Sequence, residues 1–122
     1  MVNTTGTQNV AVGSQSMDAN TTGNYNSALG VNALGANTTG SSNVAIGIQS
    51  LDANTEGDNN VAIGQDALGS NTTADANTAV GYFALNTNTT GINNVSIGKD
   101  ALKLNTTASS IILIIFSLFC RS

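Results

Sequence analysis

The chain has 122 residues, a net charge of -4 and only 8% charged residues, with no His, Trp or Pro. General acid and base chemistry has little to draw on, and three basic residues against seven acidic ones exclude a surface built to neutralise nucleic-acid phosphates. Cys120 stands alone, so there is neither a disulfide framework nor a cysteine metal-ligand pair.

The amino-terminal stretch MVNTTGTQNVAVG has no basic segment followed by an apolar one, so it does not read as a secretory signal. It is already repeat. From Asn3 the chain divides without insertion into units of 17 residues: NTTGTQNVAVGSQSMDA, NTTGNYNSALGVNALGA, NTTGSSNVAIGIQSLDA, NTEGDNNVAIGQDALGS, NTTADANTAVGYFALNT and NTTGINNVSIGKDALKL. A seventh opens as NTT at Asn105. A short fixed period is the signature of a solenoid, in which one coil cannot bury its apolar face without stacked neighbours.

Within a unit, Gly, Asn and Thr abound and the apolar run is only three residues long, which is poor helix material. The run NVAIG reads as a short strand entered from Asn and closed by Gly. SLD or ALG reads as a second strand, and NTTG as the corner or a third flat side. The expected fold is all-β, a parallel β-solenoid (β-roll or β-helix) with 17-residue coils over residues 1–107. At about 4.8 Å per coil, six coils reach roughly 29 Å.

Counting unit positions from Asn3, the columns acquire physical reasons. Position 7 is always Asn (Asn9, Asn26, Asn43, Asn60, Asn77, Asn94) and position 11 always Gly (Gly13, Gly30, Gly47, Gly64, Gly81, Gly98). The Asn file is expected to hydrogen-bond along the axis and to satisfy the corner backbone, and the Gly file to supply positive φ at a corner. Two files are expected to form the core: position 10 (Val12, Leu29, Ile46, Ile63, Val80, Ile97) and position 15 (Met17, Leu34, Leu51, Leu68, Leu85, Leu102). Position 9 is Ala11, Ala28, Ala45, Ala62, Ala79 and then Ser96. It points opposite to position 10, and its uniformly small side chains imply close packing, against a covered second face or another copy of the chain.

The NTT files admit two readings. Asn3, Thr4, Thr5, Asn20, Thr21, Thr22, Asn37, Thr38, Thr39, Asn71, Thr72, Thr73, Asn88, Thr89 and Thr90 form either a hydrogen-bonding ladder or an outward glycan or surface-array face. Asn105, and Asn94 within NVS, also match the glycosylation pattern. Rungs about 4.8 Å apart leave little room for sugars side by side, which favours the ladder.

Asp18 and Asp52 share position 16, and Asp66 and Asp100 share position 13. Each pair is two coils apart, so they read as solvated corner charges; no catalytic residue, metal site or cofactor is expected. Tyr82 and Phe83 form the one aromatic pair, read as an edge packed on another chain or as a carbohydrate-stacking patch. After Thr107 the pattern gives way to ASSIILIIFSLFCRS, an atypical tail over 108–122 that is either a cap on the solenoid end or a non-native end. Its apolar stretch from Ile111 to Cys120 is too short to span a bilayer as a helix.

NVAIG followed by a small residue and Leu, at a fixed interval, resembles the head repeats of trimeric autotransporter adhesins. The 17-residue form with NTTG between apolar strands resembles shaft arrays of phage and virus-like tail-fibre proteins. The resemblance covers residues 3–107 and implies a left-handed coil; the adhesin heads have a shorter one. It omits the coiled-coil stalk, membrane anchor and maturation domain of such proteins, leaving the shaft. Each coil offers few aliphatic side chains for the 17 residues it must order, so a homo-oligomer, a trimer or fibre, is expected. The functional expectation is a non-enzymatic structural or adhesive segment, extracellular, on a cell surface or on a virion, with a cell-surface receptor or glycan as partner. If exported, the chain would be a fragment, a mature piece, or a component released with assembled virions. The alternative is an ice-binding or other surface-array solenoid that uses the Asn-Thr-Thr ladder.

Overall fold

The computed structural model describes residues 3–115. Seven three-residue strands form one parallel sheet in chain order: β1 (Val10–Val12), β2 (Ser27–Leu29), β3 (Val44–Ile46), β4 (Val61–Ile63), β5 (Thr78–Val80), β6 (Val95–Ile97) and β7 (Ile112–Ile114). Register is constant: Ala45 lies beside Ala62 and Ala62 beside Ala79, one 17-residue unit apart. The protein is a parallel β-solenoid, and no helix occurs among the described residues.

Each coil carries one strand, not the two or three that its apolar runs suggest. SLD and ALG are turns, because the residues at positions 13 and 15 take left-handed backbone; Gln49 has φ 54° and Leu51 φ 52°, and the other five complete coils repeat this. Extended pairing cannot pass through two such residues. Rung-to-rung bonds persist all the same: Leu51 N–H donates to the Ala67 carbonyl at 2.9 Å, and Gln49 N–H to the Val31 carbonyl at 2.9 Å. Left-handed Leu costs on the order of 1–3 kcal/mol per site. The backbone bonds and the burial of Met17, Leu34, Leu51, Leu68 and Leu85, all fully inaccessible, offset it.

The strand faces are the reverse of the sequence expectation. Position 9 points inward: Ala28, Ala45, Ala62, Ala79 and Ser96 are buried. Position 10 points outward, with Val12 55% exposed, Leu29 50%, Ile46 38%, Ile63 36% and Ile97 36%, and Val80 half-buried. These six residues are not core. The interior is too thin for them: the Ser96 hydroxyl at position 9 reaches the Ala101 carbonyl at position 14 of the same coil at 2.6 Å. Strand and opposite wall therefore meet across little more than a methyl group. Position 14, which the sequence reading passed over, is the facing file, with Ser16, Ala33, Ser50, Ala67, Ala84 and Ala101 all buried. Small side chains at position 9 thus answer to the coil's own interior, with no second copy required there.

A paired substitution separates the two assignments. Ala62→Leu is expected to cost about 1–3 kcal/mol through overpacking, whereas Ile63→Thr, outward and still β-branched, costs less than about 1 kcal/mol. Urea denaturation of both variants is the check.

The remaining interior is polar. Asn20, Asn37, Asn54, Asn71 and Asn88 at position 1 are fully buried, as are Asn26, Asn43, Asn60, Asn77 and Asn94 at position 7. At position 1 the amides bond side chain to side chain. Asn37 Nδ2 donates to Asn20 Oδ1 (2.8 Å), Asn54 to Asn37 (3.0 Å), Asn71 to Asn54 (3.0 Å) and Asn105 to Asn88 (3.0 Å). At position 7 each Oδ1 accepts the next rung's backbone N–H, as Asn43 does from Asn60 at 2.9 Å, and each Nδ2 donates to the position 4 carbonyl of the next rung, as Asn43 does to Gly57 at 2.8 Å. The Gly57 carbonyl also receives Asn54 Nδ2 at 3.0 Å, so both of its lone pairs are used. Buried amides are tolerable because they are satisfied.

The seventh rung runs past Thr107. The Ala108 carbonyl accepts Asn94 Nδ2 (2.8 Å) and Asn105 Nδ2 (3.0 Å), and β7 pairs with β6 in register. The first eight residues of the segment read as an atypical tail thus continue the coil. Residues 116–122, including Cys120 and the rest of the apolar stretch, lie outside the described residues.

Candidate binding faces

Four surface features present chemistry outward. The first is the strand face. Positions 8 and 10 of β1 to β7 stand outward on alternate sites of each strand, and position 12, just past the Gly corner, extends the face with Val31, Ile48 and Tyr82, all exposed, and with the polar Ser14, Gln65 and Lys99 on the other rungs. No charged residue occurs at position 8 or 10 on any rung. The result is a regular, largely aliphatic β surface, and its two files are mostly β-branched.

The second is the NTT side. Its Asn side chains do not face solvent: Asn20, Asn37, Asn71 and Asn88 point into the coil with their amides bonded, so no glycan fits on them in the folded chain. The same holds for Asn94. Asn3, on the first rung, is exposed. Position 2 hydroxyls turn back to the ladder, Thr21 Oγ1 donating to the Thr38 carbonyl at 2.9 Å and Thr38 to the Thr55 carbonyl at 3.0 Å. Only position 3 (Thr5, Thr22, Thr39, Thr73, Thr90) stands fully outward, and Glu56 interrupts it. The NTT triplet has the ladder role, with one exposed hydroxyl file.

Position 5, at the neighbouring corner, has its own device: the side chain caps the preceding rung's N–H. Asp58 Oδ1 accepts from Ser41 N (2.7 Å) and Asp75 Oδ1 from Asp58 N (2.7 Å). Ile92 occupies this position on the sixth rung and has no oxygen to offer Asp75 N–H.

The third feature is a shallow groove of about 290 Å³ lined by Gln15, Asp18, Asn32, Gly35, Ala36 and Asp52. The Asp52 carboxylate lies over Gly35, where an added Cβ would come within 2.8 Å of it. Burial, and then the carboxylate of Asp66 on the following rung, push the Asp52 carboxyl above its ordinary range. The position 16 and position 13 charges of adjacent coils therefore interact, which counting along single columns did not reveal. A raised folded pKa means that the folded state holds the proton more tightly than the unfolded state. The stabilisation is complete below the ordinary value of 3.8 and is lost as pH rises through the folded pKa. Asp52→Asn is accordingly expected to melt higher than the parent at neutral pH, with the difference vanishing below about pH 3.8. Thermal melts across pH read this directly.

The fourth is a cluster on rungs five and six. The Tyr82 and Phe83 rings meet edge to face at 4.5 Å, Lys103 Nζ sits 4.5 Å from the Phe83 centroid and Lys99 Nζ 5.8 Å from that of Tyr82. Asp100 pairs with Lys103 at 3.2 Å and Lys99 at 4.0 Å. Lys103 closes over the half-buried Phe83 and Asp100 balances one of the two ammonium charges, while Tyr82, beside the exposed Lys99, stays 45% exposed. Among the described residues no group of three or more His, Cys, Asp or Glu is placed to hold a metal ion, and no helix is long and apolar enough to cross a membrane.

Together the stacked coils and the aliphatic strand face define a parallel β-solenoid with one side whose strand files carry no charge. Comparison with models of known protein families, with curated proteins and with solved structures finds no match for the chain.

Proposed function

We propose that the chain is a passive structural segment of a fibre, a stiff rod that spaces or presents other components of an extracellular or virion assembly and works as a homo-oligomer. The observation that carries this reading is the unbroken Asn file at position 1, whose amides link every rung to the next from Asn3 to Asn105. Bending or shearing the rod at any level breaks buried amide bonds together with the strand pairing, so stiffness is distributed along the whole length. Electron microscopy of tandem copies of the repeat block tests it. Straight rods that lengthen by about 4.8 Å per added coil are expected; flexible strings or compact particles would remove the shaft reading.

A surface-array function on ice has less support. A lattice-matching face needs parallel hydroxyl files, and position 2 spends its hydroxyls within the ladder. One outward file remains, at position 3, and Glu56 breaks it; a thermal hysteresis measurement tells the two readings apart.

A further inference from the structure

We infer that the strand face is a self-pairing surface, and that its occupant is the same face of a second copy of this chain. The inference rests on the shaft reading and adds to it the side by which rods associate.

Charge selects the face. All seven acidic residues lie at positions 3, 5, 13 and 16: Glu56; Asp58 and Asp75; Asp66 and Asp100; Asp18 and Asp52. Two copies of an acidic rod that met on any of those sides would bring like carboxylates together, whereas the outward files at positions 8 and 10 hold no charge on any of the seven rungs and position 12 at the edge of the face adds one cation, Lys99, and no carboxylate. Desolvation favours the same side, since Val12, Leu29, Ile46 and Ile63 are all more than a third exposed.

Pitch selects the partner. The face is a set of ribs at the strand spacing, carrying β-branched side chains at constant register. A surface that fills the gaps between ribs over the full length must repeat at the same spacing, and this chain supplies one. Interdigitated apolar files on facing sheets are the contact so formed.

Area sets the strength. Seven strands and the width from position 8 to position 12 give about 29 by 13 Å, near 400 Å² per copy. That is roughly half of what a standard interface takes from each partner. One block therefore pairs reversibly, and two blocks in tandem approach the area of a stable dimer.

Sedimentation equilibrium over about 10 µM to 1 mM tests this, on the chain and on its tandem duplicate. Concentration-dependent dimer is expected for the single block and a dimer at least tenfold tighter for the duplicate. Ile46→Lys with Ile63→Lys should leave both monomeric with unchanged circular dichroism, while Thr39→Lys with Thr73→Lys, matched in charge but on the NTT side, should leave pairing intact. Monomer throughout for the parent and its duplicate, or equal pairing by both double variants, overturns the inference. So does binding of the parent to phosphatidylcholine vesicles that the Ile46/Ile63 variant loses, which would make the occupant a lipid surface. Small-angle scattering on the monomeric variant separates the two proposals, since a monomer that is still a rod leaves the shaft reading standing.

Discussion

Asn60→Asp is expected to destabilise the solenoid by roughly 3–5 kcal/mol at neutral pH, the cost of an uncompensated buried charge. In shape the two side chains are nearly identical. Asn60 is fully buried; its Oδ1 accepts Asn77 N–H at 3.0 Å and its Nδ2 donates to the Ala74 carbonyl at 2.9 Å. Aspartate keeps the first bond and turns the second into two oxygens facing each other, with a charge that the interior does not solvate. Asn60→Ala removes both bonds without adding charge. The Ala74 carbonyl still receives Asn71 Nδ2 at 2.9 Å, so the orphan is the Asn77 N–H alone, worth about 1–3 kcal/mol.

The pH dependence distinguishes charge from lost geometry. A carboxyl at this site would have its folded pKa raised by burial, so its deficit is largest at neutral pH and shrinks as pH falls, because the protonated acid can donate to Ala74. The Ala variant has no such group, and its deficit relative to the parent stays level across the same range. Urea melts at pH 7 and pH 4 are the measurement; an Asp variant no worse than the Ala variant at pH 7 would mean that the Asn file is wet.

Much of this was legible from the repeat, and the physical reason is stacking. When like residues sit above one another, period and register follow from the order of residues alone, and so does the burial of Leu34, Leu51, Leu68 and Leu85. What stacking does not reveal is which side of a strand faces inward when both sides are apolar. Alternation groups positions 8 and 10 against 9, but inward direction depends on the width of the coil. The signal was present in the uniform smallness of positions 9 and 14, against the free exchange of Val, Leu and Ile at position 10. The NTT files stood between two readings for a related cause, although rung spacing favoured the ladder that the structure shows. Asn and Thr are ordinary surface residues, and only the geometry shows that position 1 Asn is a buried cross-link while position 3 Thr is not.

The Gly files offer a control built into the chain. Gly47→Ala is expected to cost about 3 kcal/mol or more, and Gly40→Ala less than about 1 kcal/mol, although a Cβ at either place meets backbone. At Gly40 it would lie 2.5 Å from both the Gly57 carbonyl oxygen and Asn37 Oδ1. Yet Ala74 occupies this same position on the fifth rung, is buried, and still accepts both Asn60 and Asn71 amides. The coil therefore absorbs a methyl group at position 4 by a small shift. At Gly47 the Cβ would lie 2.7 Å from Gly64 C and 2.8 Å from Gly64 O, with φ at +129°. Gly64 cannot withdraw, because its N–H is bonded to the Ile46 carbonyl at 2.7 Å within the sheet. A methyl group there must push adjacent rungs apart and break the strand pairing beside it. Position 11 is Gly on each of the first six rungs and becomes Ile115 only on the seventh, terminal one, whereas Ala stands at position 4 within the stack on the fifth rung as well as on the seventh. Thermal melts of the two variants side by side decide the matter: equal melting temperatures would show that the position 11 file is not held by contact between successive backbones.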